Sequence, residues 1–111
     1  MVWDPDAAID AMYTRLDRAA GRALAQRLHP AISPPDEFPL PGHPDVPTVL
    51  VYATDDEFFE PAWERFMARE LLGIEPIEIA GGHFPMIEDP ATLADLLDRL
   101  AHEREAAPDR K

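Results

Sequence analysis

The sequence predicts an α/β fold in which two parallel strands are combined with three helices. Two short runs rich in β-branched residues lie near 48–53 and 76–80, and a helical apolar pattern separates them. Continuous apolar runs of this length are typical of strands buried on both faces of a parallel sheet. Because the connections are short, strand, helix and strand in this order favour a right-handed parallel crossover.

Length, charge and cysteine content narrow the classes of protein to which the chain can belong. A chain of 111 residues suits one small domain, and 22 acidic against 10 basic side chains give a net charge of −12. This charge argues against nucleic acid and anionic membrane surfaces as partners. The absence of cysteine excludes disulfides and thiolate metal sites. No apolar run approaches the ~20 residues of a membrane span, and no signal-peptide pattern is present, so we expect a cytoplasmic protein.

Residues 1–29 are predicted to form one amphipathic helix. It begins at Asp4-Pro5-Asp6, because aspartate is a good N-cap and proline suits the first helical position. Gly21 weakens its centre, and the helix should end before Pro30. The apolar residues at helical spacing are Ile9, Met12, Leu16, Ala19, Ala20, Ala23 and Leu24. A surface helix and a lid or partner-binding helix both fit this pattern.

Residues 30–47 are predicted to be an extended acidic connector. Seven of the thirteen prolines lie between His29 and Pro47, and each removes an amide donor and restricts the residue before it. No lysine or arginine lies between Leu28 and Glu64, whereas acidic residues recur there. A solvated loop explains this composition, and a cation site that includes His43 is the alternative.

Residues 48–104 carry the predicted strands and the other two helices. The first of these helices opens at Pro61 and closes at Gly73, and the last one opens at Asp89-Pro90. Their apolar faces consist of Trp63, Phe66, Met67 and Leu71 in the first and of Leu93, Leu96, Leu97 and Leu100 in the second. Residues 105–111 are predicted to be a frayed tail.

Acidic side chains and a histidine follow the two predicted strands. Asp55 and Asp56 come after the first strand, and His83 follows the second strand across two glycines. Parallel strands ~4.8 Å apart end on the same rim of a sheet, where open α/β sheets place their sites. A carboxylate there could accept the Nδ1 proton of His83 and stabilise its imidazolium. A structural histidine and a solvated aspartate remain the alternatives.

Two segments resemble the end of the α/β-hydrolase fold. They are Gly-Gly-His-x-Pro…Glu-Asp-Pro at 81–90 and Val-Pro-Thr-Val-Leu-Val-Tyr-Ala-Thr-Asp-Asp at 46–56. The resemblance implies that His83 is the general base and Asp56 the acid of a catalytic triad, with Asp55 as the reserve candidate. It also allows Phe58 to line an acyl pocket that binds substrate. No cofactor and no metal are implied.

The nucleophile that this family uses is absent from the sequence. The Gly-x-Ser-x-Gly elbow does not occur, and the only serine, Ser33, lies among prolines. We therefore expect the C-terminal portion of an esterase-like hydrolase for ester or related acyl bonds, inactive without the missing N-terminal part. Its expected partners are a small ester-like substrate once completed, and a complementing chain or a second copy. The alternatives are a non-catalytic interaction module that pairs through an exposed strand edge and a small metal-dependent enzyme that uses His43, His83 and acidic groups.

Overall fold

The computed structural model describes residues 4–37 and 39–106 and has a mixed α/β architecture. Strand β1 (Val51–Ala53) pairs in parallel with strand β2 (Ile77–Ile79). The parallel pairing predicted from the sequence is thus confirmed.

Strand β1 is shorter than the predicted strand of residues 48–53. The backbone pairing begins at Leu50, whose carbonyl accepts a hydrogen bond from Ile77 N at 2.9 Å. Before it, the Thr48 hydroxyl donates to the Val46 carbonyl at 3.0 Å. Local bonds of this kind compete with a sheet ladder, so the extended chain joins the sheet only after Thr48.

The single helix predicted over residues 1–29 is wrong, because the segment forms a helix hairpin of α1 (Pro5–Met12) and α2 (Arg18–Ala25). The carboxylate of Asp17 accepts a hydrogen bond from Ala20 N at 3.2 Å and so starts the second helix. A Cβ atom at Gly21 would lie 3.2 Å from Tyr13 Cβ. The glycine therefore lets the two helices approach closely.

The other helices position the two loops that follow the strands. Helix α3 (Pro61–Phe66) continues into a π-helical turn, Met67–Leu72, that ends at Gly73 with φ of 67°, in agreement with the predicted glycine cap. Helix α4 (Pro85–Glu88) was not predicted, and helix α5 (Pro90–Ala106) follows it directly. The helix continues into the predicted tail as far as Ala106, and residues 107–111 lie outside the described residues.

The best-buried apolar cluster lies in the helix hairpin. Its buried members are Ala8, Ile9, Met12, Tyr13 and Ala25. Phe58 and Phe84, from the loops after β1 and β2, pack against this cluster. The hairpin therefore supports the rim of the sheet where both loops meet.

The rest of the described chain leaves much apolar surface in contact with solvent. The connector between α2 and β1 is exposed and contains no helix or strand in residues 30–37 and 39–47. The radius of gyration is 16.6 Å, whereas a compact domain of this length has about 13 Å. Large exposed apolar side chains include Val49, Trp63, Phe66, Leu71 and Leu97. Among the described helices, none is both long and apolar enough to cross a membrane.

Candidate active site

Asp56 and His83 meet at the carboxyl ends of the two parallel strands. Asp56 Oδ2 lies 3.0 Å from His83 Nδ1. Beyond the strands, Thr54 N donates to the Ile79 carbonyl at 3.0 Å and Asp55 N donates to the Gly81 carbonyl at 2.8 Å. The sheet pairing thus extends into both loops and brings the two side chains into contact.

The Asp56 side chain is held by its own loop. The residue is only 8% exposed, and its Oδ1 accepts hydrogen bonds from Phe58 N at 2.8 Å and from Phe59 N at 2.9 Å. These bonds direct Oδ2 toward His83. Because an ionised carboxylate only accepts hydrogen bonds, a hydrogen bond between the two side chains needs a proton on His83 Nδ1, and Nε2 is then the nitrogen that can exchange one.

Three aromatic rings confine the imidazole of His83. The ring centroids lie 4.6 Å from Phe84, 4.8 Å from Phe58 and 5.5 Å from Phe59. The His83 side chain is 17% exposed. The ring is therefore restrained in orientation and still reaches the surface.

A cleft of about 350 Å³ opens beside the pair. Its lining includes Phe59, Ile79, Met86 and Leu93 in addition to Asp56 and His83. Glu64 of α3 also lines the cleft, and its Oε2 is buried without a hydrogen-bond partner among the described residues. Burial raises the pKa of Glu64, the negative Asp56 adds to that rise, and His83 opposes it.

The turn that carries His83 is tied down by Glu88. One carboxylate oxygen of Glu88 accepts a hydrogen bond from Gly82 N at 2.9 Å, and the other accepts one from Phe84 N at 3.3 Å. Gly81 has φ of 123°, a conformation that residues with a Cβ rarely adopt. The glycine and the carboxylate together set the path of the backbone through His83.

Arg15, between the two helices of the hairpin, reaches both loops. Its Nη1 lies 3.2 Å from Asp55 Oδ2, and its Nε lies 3.2 Å from Glu88 Oε1. The Glu88 side chain is 9% exposed, whereas those of Arg15 and Asp55 are about half exposed. The structure therefore gives Asp55, the reserve candidate for the acid, a contact with Arg15.

The remaining predicted residues lie outside the lining of the cleft. Phe58 packs against the hairpin cluster and the His83 ring, and its neighbour Phe59 lines the cleft. Ser33 is exposed in the connector. His29, His43 and His102 are exposed as well.

The described residues contain no group of three or more histidine, aspartate or glutamate side chains that could hold a metal ion. The alternative site of His43 with acidic groups accordingly has no such grouping in this part of the chain.

Sequence reasoning did not identify Arg15, Glu64 and Phe59 as parts of the site, and it included Glu88 only within the Glu-Asp-Pro motif. Glu64 carried one usable signal, since it lies three residues before Met67 and seven before Leu71 and so shares their side of the helix. Arg15 carried none, because its partners are distant in sequence.

The chain was compared with protein-family models, curated proteins and solved structures, and none of them matches it.

Proposed function

We propose that this chain supplies the acid and histidine of a serine-type α/β-hydrolase that acts on ester or related acyl bonds. The observation that carries the proposal is the 3.0 Å contact between Asp56 Oδ2 and His83 Nδ1 at the carboxyl ends of adjacent parallel strands. The restrained aromatic surroundings of His83 and the adjoining cleft support it.

In this proposal His83 Nε2 removes the proton from a serine hydroxyl as that oxygen attacks the acyl carbon. Asp56 holds the ring in the required tautomer and stabilises the imidazolium. The imidazolium then gives its proton to the departing alcohol, and a water molecule repeats the sequence on the acyl-enzyme. General base catalysis of this kind contributes about 10²–10⁴-fold to the rate.

The nucleophile and the oxyanion hole have to come from a segment outside this sequence. The chain has no Gly-x-Ser-x-Gly elbow, and Ser33 lies in the exposed connector. A two-stranded sheet is too small to be stable alone, and a further strand beside β1 would cover unpaired backbone groups. A completing segment would thus supply both the missing strands and the serine.

The test joins this chain to the protein encoded by the coding region directly upstream and measures hydrolysis of short aryl esters. The chain alone should show no saturable hydrolysis, and Ser33→Ala should change nothing. The joined protein should hydrolyse the ester, His83→Ala should abolish the activity, and Asp56→Asn should lower kcat by about 10²–10⁴-fold. His102→Ala, at an exposed histidine, is the matched control.

Three results would contradict the proposal. The first is an upstream region that encodes no serine elbow, or a joined protein that hydrolyses no ester. The second is a joined protein that stays fully active after His83→Ala. The third is saturable turnover by the chain alone that disappears with Ser33→Ala.

A non-catalytic interaction module is the second candidate. The exposed apolar side chains Trp63 and Phe66, stacked 5.5 Å apart on α3, favour it. A module should form a complex of defined mass as concentration rises, whereas an incomplete hydrolase domain should form a broad range of species.

A further inference from the structure

We propose that Arg15 is a positioning residue that fixes the distance between Asp56 and His83 by holding the acid loop and the histidine turn at once. This inference rests on the proposed function, because it assigns a role to the same acid–histidine pair. Arg15 does not contact the imidazole in this arrangement, and it acts through Asp55 and Glu88.

Glu88 holds the histidine turn on both sides of His83. Glu88 accepts hydrogen bonds from the backbone N–H groups of Gly82 and Phe84, the residues on either side of His83. The residues on both sides of His83 are therefore held by a single carboxylate. A change in the position of Glu88 would move the backbone from which the imidazole projects.

Arg15 links the acid loop to Glu88. Asp55 directly precedes Asp56, and its Oδ2 contacts Arg15 Nη1 at 3.2 Å. Arg15 Nε contacts Glu88 Oε1 at the same distance. One planar guanidinium therefore links Asp55, the residue before the acid, to Glu88, which holds the residues on both sides of His83. The single ammonium group of lysine does not reproduce this geometry.

The Arg15 side chain lies close to Gly82. A Cβ atom at Gly82 would lie 2.8 Å from both Arg15 Cδ and Glu88 Oε2. The arginine stem thus passes directly over the glycine before His83. Any side chain at position 82 would displace Arg15, Glu88 or both.

The experiment uses the full chain with ¹⁵N-labelled histidine and measures how fast the His83 Nδ1 proton exchanges with water. Arg15→Gln and Glu88→Gln should each accelerate the exchange by about two- to tenfold, the equilibrium effect of losing one hydrogen bond. The exchange rate in Arg15→Lys should lie between the rates in these two variants and the rate in the unsubstituted chain. Arg18→Gln is the matched control, because Arg18 is exposed and pairs with Asp6 and Asp10 inside the hairpin.

The backbone amide of Ile77, which pairs with Leu50 at the sheet, reports whether the fold as a whole has loosened. Its exchange rate should stay unchanged in all four variants. Unchanged His83 exchange in both Arg15→Gln and Glu88→Gln overturns the inference. Equal acceleration at His83 and Ile77 overturns it as well, since Arg15 then acts on stability alone.

The same measurement separates this inference from the proposed function. If the unsubstituted chain shows no protected His83 Nδ1 proton, the acid–histidine pair itself fails. If that proton is protected but insensitive to Arg15, the pair stands and only the positioning role is excluded.

Discussion

Tyr13 stacks on Phe84, the residue directly after His83, with ring centroids 5.1 Å apart and planes inclined by 21°. Tyr13 is 5% exposed and belongs to the cluster buried in the helix hairpin. Through this contact the N-terminal hairpin supports the histidine turn directly.

Replacing Tyr13 should therefore destabilise the chain. Tyr13→Leu removes the stacked ring from a buried site and should lower the free energy of unfolding by about 1–3 kcal/mol. Phe66→Leu is the matched control, because Phe66 is 49% exposed, and it should cost less than about 0.5 kcal/mol. Urea denaturation followed by circular dichroism provides the comparison. Equal effects of the two substitutions would show that the hairpin does not support the turn.

Glu64 should make the stability depend on pH. Burial raises the pKa of Glu64 above its ordinary value of 4.5 in the folded chain, so ionising it disfavours folding. Glu64 therefore contributes most to stability at pH values below its pKa in the unfolded chain. This contribution is lost as the pH rises through its pKa in the folded chain. Glu64→Gln should consequently raise the free energy of unfolding at pH 7 but not at pH 4. Glu70→Gln, at an exposed residue of the same helical segment, should show no such difference. A Glu64→Gln effect of equal size at both pH values would contradict the assignment.

Gly81 should tolerate substitution poorly. With φ of 123°, an alanine there adopts a strained backbone at a cost of about 1–3 kcal/mol. Gly42→Ala is the control, because among the described residues none but its chain neighbours would lie within 4 Å of a Cβ atom at Gly42. The Gly81→Ala chain should unfold at a clearly lower temperature than the Gly42→Ala chain. A Gly81→Ala chain as stable as Gly42→Ala would mean that the turn has another conformation.

The isolated chain should associate as its concentration rises. Both strands have an edge without a partner in the described sheet, and large apolar side chains such as Val49 and Leu71 are more than half exposed. Sedimentation velocity should show mass that increases with concentration. A monodisperse monomer that unfolds cooperatively with high stability would contradict this expectation.

Local patterns were sufficient to predict the strands and their pairing. The apolar runs around Val51 and Ile77 and the short helical crossover determine a parallel pair, and Asp56 and His83 then end on the same rim. The helix cap at Gly73 was also predictable, because glycine is the residue that most often occupies the left-handed position at the end of a helix.

Features that depend on contacts between distant residues were not predictable from local patterns. The helix hairpin arises because Asp17 caps a second helix and Gly21 packs on Tyr13, whereas apolar spacing alone favoured one continuous helix. Arg15 lies 40 residues from Asp55, so no local spacing connects them. Strand length was overestimated because Thr48 bonds back to Val46.

The most direct test of the acid–histidine pair is the ¹⁵N NMR spectrum of the His83 ring in the unsubstituted chain and in Asp56→Asn. In the unsubstituted chain, Asp56 Oδ2 requires the neutral imidazole to carry its proton on Nδ1. In Asp56→Asn, the amide oxygen should keep the bonds from Phe58 N and Phe59 N, so the NH₂ group faces His83 and moves the ring proton to Nε2. We predict a Nδ1–H ring that becomes Nε2–H on substitution. An Nε2–H ring in the unsubstituted chain, or the same tautomer in both proteins, would contradict the central claim.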